Sequence, residues 1–119
     1  MLNNKINSGK VMVDRDTKSY VYILVREDLT IAQQGVQVAH AGMLAISKHG
    51  GLKEDTRLVV LKVKNQQQLL DYFDMSKDNG LKAEKFFEPD YDIFWSAMST
   101  APISREEGKI FKKLPLWRP

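Results

Sequence analysis

The chain has 119 residues, enough for one domain and too few for two of ordinary size. Hydrophobic residues make up 43% and charged residues of both signs 28%, which allows a core and argues against a disordered chain. The net charge of +3 is compatible with a phosphate-bearing partner, and the absence of Cys excludes disulfides and thiolate metal sites. With two histidines in all, no metal site is expected.

Residues 1–18 are polar except for Val11, Met12 and Val13, and read as a flexible leader, with an added edge strand at 11–13 as the alternative. No apolar run suits a signal peptide or a bilayer span, so a cytoplasmic protein is expected, with no membrane association. The domain proper is expected over 19–119. The run "SYVYILV", 19–25, is β-branched and aromatic throughout, as in a strand buried on both faces. After the polar loop "REDLT" a helix is expected over 31–48, stopped by "HGG". "TRLVVLKV", 56–63, is a second strand. "NQQQLLDYFDMSKDNG" carries a second helix, with Asn65 as N-cap and Asn79-Gly80 as its stop. "LKAEKFFE", 81–88, and "DIFWSAM", 92–98, are strands joined as a hairpin by "PDY" turn chemistry. "SREEGKIFKKL" is a last helix. Ser104 and Glu107 have capping-box spacing, and Pro115 ends the segment. This order implies a single α/β domain: a four-stranded mixed sheet with helices on both faces, and ligands at the carboxyl end of its strands.

The first helix contains "AQQGVQVAHAG", 32–42. At helical spacing Gln33, Gln37 and His40 form one narrow stripe. Val36, Ala39, Met43 and Ile46 lie to one side, Val38, Ala41 and Ala45 to the other. A helix apolar almost all round, with one polar seam, is expected to be buried on most faces. Gly35 and Gly42 each cost about 1 kcal/mol of helix propensity, which suggests close approach of another backbone. An unpaired buried amide costs about 1–3 kcal/mol, so the seam is satisfied by protein, by water in a cleft, or by a ligand. Protein alone could suffice. Gln33 has capping-box spacing to Thr30, and Gln37 and His40 could bond nearby backbone.

The stretch "VYILVREDLT…AQQGVQVAHAG", followed by strands and helices in this order, resembles the type 2 peptidyl-tRNA hydrolase family over about residues 19–117. The matching residues are Arg26, Asp28 and Leu29 after the first strand, then Gln37, His40 and Ala41 in Gln-x-x-His-Ala. The "SREEGKIFKKLPLW" end is closest to a divergent branch, the small peptidyl-tRNA hydrolase domain proteins. Two positions depart. Gln33 stands where the family has a lysine proposed to be catalytic, with the loop from Asp28 to His40 two residues shorter. "FFEPD" stands where the family has Asp-Ala-Gly, leaving Glu88 or Asp90 as substitute carboxylate.

The resemblance implies metal-free and cofactor-free cleavage of the ester between peptide and tRNA. His40 would be the base, and Gln37 would hold water or donate to the oxyanion. Asp28 would orient His40 or cap the helix, and Glu88 would be a second carboxylate. For tRNA binding, Arg26 would take an anion or pair with Glu27 or Asp28. Gln33 and Gln34 would line the pocket, and Lys109, Lys112 and Lys113 would offer a basic patch. Trp95 and Trp117 would stack on a base or pack within the domain. Family members are often dimeric, so a homodimer through the first helix is a further expectation. The other reading is a non-catalytic binding module on the same fold, whose amides recognise a nucleotide, RNA or another small ligand.

Overall fold

The computed structural model describes residues 18–118. The leader expected over 1–18, with its alternative strand at 11–13, lies outside the described residues except for Lys18. Strand β1 is Tyr20–Arg26, helix α1 Ile31–His49, strand β2 Arg57–Val63, helix α2 Gln66–Asp78, strand β3 Ala83–Glu88 and strand β4 Phe94–Thr100. The sheet order is β2-β1-β4-β3. β1 runs parallel to β2 and antiparallel to β4, and β3 with β4 forms the closing hairpin. This is the four-stranded mixed α/β sheet that the element order implies.

The all-apolar first strand is central, as its composition requires: Leu24 and Val25 are completely buried and Ile23 nearly so. Alternation sends Val21, Ile23 and Val25 toward Ala41 of α1, while Leu24 joins Leu61, Leu69 and Phe111 on the α2 face. Each such side chain contributes about 1.5–3 kcal/mol of burial. Both helices start where side-chain caps exist. Thr30 accepts from the Gln33 amide and Asn65 from the Gln68 amide. α1 stops at Gly50, whose φ of 58° a side chain would disfavour and whose N–H closes on the Ile46 carbonyl.

Three local expectations are corrected. The closing helix is a 3₁₀-helix of five residues, Glu107–Phe111. Its capping box is real: the Ser104 amide donates to Glu107 Oε1 at 2.9 Å and the Glu107 amide to Ser104 Oγ at 3.0 Å. It stays short because Gly108 sits against the Tyr22 ring, where a Cβ would overlap the phenol, and because the chain must return to the sheet. There Pro115–Trp117 runs along β2, with the Lys62 amide on the Pro115 carbonyl and the Trp117 amide on the Val60 carbonyl. Second, α1 is not buried on most faces. Val36, Met43 and Ile46 are 47%, 65% and 51% exposed. Third, no backbone closes on the helix glycines. A Cβ on Gly35 would meet nothing within 4 Å, and one on Gly42 would meet only Ile23 Cδ1 at 3.6 Å.

Candidate functional site

The polar seam of α1 lies against β3, one of the two edge strands. Alternate β3 residues Glu84, Phe86 and Glu88 face α1, and each meets one α1 side chain. His49 Nε2 lies 3.2 Å from Glu84 Oε2. The His40 ring stacks on Phe86 with centroids 4.4 Å apart and planes 5° from parallel. Gln37 Nε2 donates to Glu88 Oε1 at 2.9 Å. The helix and the strand thus register as two rows, with the Gln37–Glu88 pair at the carboxyl end of β3.

Gln37 is completely buried and its amide is fully engaged. Besides Glu88, its Nε2 donates to Gln33 Oε1 at 3.1 Å, and its Oε1 accepts from the Ser96 hydroxyl. An amide has two N–H bonds, so none is left for an oxyanion. Gln37 is a bracket that fixes Glu88, which corrects its expected role as oxyanion donor. Gln33 accepts through its carbonyl, while its Nε2 makes no hydrogen bond among the described residues.

His40 is half-buried and makes no hydrogen bond among the described residues. The stack covers one face of the imidazole and leaves its in-plane nitrogens free to act. Glu88 is held below its ordinary value of 4.5 by the Gln37 N–H, then by the Asp90 amide at 3.3 Å, with a smaller contribution from His40. The carboxylate is therefore ionised at neutral pH, with the imidazole close by.

Three expected site residues, Asp28, Arg26 and Gln34, are engaged elsewhere. Asp28 neither orients His40 nor caps α1. Both its oxygens take Arg26, at 2.9 and 3.0 Å, and Thr30 is the cap. Arg26, 12% exposed, also donates to the Ile93 and Trp95 carbonyls, so its guanidinium ties β1 to the β3–β4 turn and is not free for an anion. Gln34 is buried. Its Nε2 donates to the Glu27 and Leu29 carbonyls, and its Oε1 accepts from Trp117 Nε1 at 2.8 Å. It holds loop and tail together, and does not line a pocket. Trp117 packs the tail onto the α1-side core, and Trp95 packs against the α2-side core.

Lys109, Lys112 and Lys113 flank Phe111, whose ring joins the α2-side core. The sheet separates them from His40, so the structure does not bring the two groups together. Lys109 is paired with Glu106 at 3.0 Å.

Phe86 and Ser96 are the residues that sequence reasoning missed. The alternation Glu84, Phe86, Glu88 was the available signal for Phe86, since it puts all three on one face. Ser96, 59 residues from Gln37, gave none.

No family model matches the chain, and no curated protein is similar to it. Among solved structures, a protein of unknown function, Atu0240 from Agrobacterium tumefaciens str. C58, is similar in fold. It has a TM-score of 0.66 at 15% identity, over 85% of this chain and 98% of that one. This likeness bears on the fold alone.

Proposed function

We propose that the protein is a peptidyl-tRNA hydrolase-like esterase of the cytoplasm, with His40 as general base at the carboxyl end of the sheet. The observation that carries this reading is that Gln37 holds an ionised Glu88 near enough to the half-exposed His40 to feel its charge, while the Gln33 amide N–H pair beside Gln37 is uncommitted among the described residues. His40 takes a proton from water as that water attacks the ester carbonyl, and the imidazolium returns it to the departing ribose oxygen as the ester C–O bond breaks. Glu88 stabilises the imidazolium that forms, and Gln33, at the family's lysine position, donates to the developing oxyanion. Gln37 keeps Glu88 in place. No helix among the described residues is long and apolar enough to cross a membrane.

The engaged Gln37 amide and the missing lysine favour a second reading, a binding module that recognises tRNA or a nucleotide without turnover. Release of tRNA from an N-acetylated aminoacyl-tRNA separates the two. The enzyme reading expects turnover that falls on the order of 100-fold in His40→Ala, with circular dichroism unchanged. No release above the buffer rate, together with a melting temperature raised by tRNA, overturns it in favour of the binder.

A further inference from the structure

The turn between β3 and β4 is strained. Tyr91, Asp92 and Phe94 have φ of 57°, 55° and 64°. Asp tolerates this left-handed region, but a bulky aromatic residue enters it only under constraint. The constraint comes from both flanks of the turn. The Asp90 amide donates to Glu88 Oε2 at 3.3 Å, and the Ile93 amide to the Asp90 carbonyl at 3.2 Å. Arg26 in turn donates to the Ile93 and Trp95 carbonyls. Backbone strain held in this way clusters at ligand-binding and active sites. Its effect is to hold Tyr91 out. At 84%, Tyr91 is the most exposed of the large hydrophobic side chains described. Among the described residues its ring pairs with no other ring, and its hydroxyl makes no hydrogen bond. The ring adds no packing that would offset the strain, so the fold alone does not account for it.

Position gives the ligand class. Tyr91 directly follows Asp90, whose amide touches the carboxylate that faces His40. In the ester of a peptide with tRNA, the ribose that carries the ester also carries a base. That base lies within one nucleoside of the reacting carbonyl, and so beside the end of β3. Single-stranded RNA ends are held by stacking their bases on aromatic side chains. Trp95 and Trp117, the rings best suited to this, are packed on the two cores. Tyr91 is the exposed ring at the right place. We propose that Tyr91 is the stacking platform for the terminal base of the RNA, a binding residue that positions the ester over His40. The inference rests on the RNA-binding part of the proposed function, and it holds whether or not turnover follows.

The probes are deacylated tRNA and the same tRNA with an abasic 3′-terminal ribose, each titrated against the full chain by filter binding. Wild type is expected to bind the intact tRNA on the order of tenfold more tightly than the abasic one. Tyr91→Ala binds both alike, at the abasic level, and Tyr91→Trp restores the preference. Tyr91→Gly, which suits a φ of 57°, also loses the preference while its melting temperature is equal to or above that of wild type. Three outcomes overturn the proposal: equal binding of the two tRNAs by wild type, a preference that survives in Tyr91→Ala, or a melting temperature lowered by Tyr91→Gly, which would make the ring part of the domain's own packing. Failure of the esterase reading looks different. Base-dependent binding through Tyr91 without release of tRNA from an N-acetylated aminoacyl-tRNA refutes the enzyme and keeps the platform, whereas release that ignores the terminal base keeps the enzyme and refutes the platform.

Discussion

The residue that best separates legible from illegible sequence is Gln37. Spacing places it on one stripe with Gln33 and His40, but spacing alone does not say which of the three is sealed. Its partners come from Ser96 and Glu88, strand residues far along the chain, so the answer depends on the tertiary fold. Gln34, one residue off the stripe, is buried for the same kind of reason: Trp117, 83 residues away, supplies its partner. The depressed carboxyl of Glu88 yields a prediction at this scale. A group whose folded value lies below its unfolded value stabilises the protein at pH above the unfolded value. That stabilisation is lost as pH falls through the lowered folded value. Wild type should therefore lose stability on acidification from about pH 5 downward more steeply than Glu88→Gln, whose uncharged side chain keeps a carbonyl that can accept from Gln37. Urea midpoints measured from pH 6 to pH 3 test this, and parallel curves for the two proteins would refute it.

At the scale of elements, strands and helices were legible wherever local periodicity and caps agree. β1 and α1 are examples, the latter with its Thr30 cap and Gly50 stop. The closing segment was not, because its form is dictated by Tyr22 and by the need of β2 for an edge partner. That tail covers the open edge of β2, and Trp117 anchors it by packing on the α1-side core and by donating to Gln34. Trp117→Ala removes both contributions and is expected to destabilise the fold by about 2–4 kcal/mol. Trp117→Phe keeps most of the packing but leaves the Gln34 carbonyl unpaired, and is expected to cost about 1–2 kcal/mol. Urea denaturation gives both values. Equal losses would mean that the hydrogen bond, and not the packing, anchors the tail.

Across the whole molecule, the sheet divides the chain's polar features between two sides. The α1 side holds His40 stacked on Phe86 and Glu88 fixed by Gln37, and the α2 side holds Lys112 and Lys113 near Phe111. The sequence could not show this division, since a row of lysines near a chain end has no intrinsic relation to a helix far earlier in the chain. The division bears on how RNA would be held. Phosphate contacts draw affinity from each cation that lies along the strand, and screening limits an exposed cation's reach to roughly 8–10 Å at physiological salt. On the proposed function, lysines behind the sheet would therefore contribute little to a substrate seated over His40. Lys112→Ala/Lys113→Ala is expected to leave both tRNA affinity and its salt dependence within about twofold of wild type. Filter binding between about 50 and 200 mM salt measures both quantities. A tenfold loss with a shallower salt slope would place these lysines on the RNA's path, and the substrate would then have to wrap an edge of the sheet to reach the imidazole.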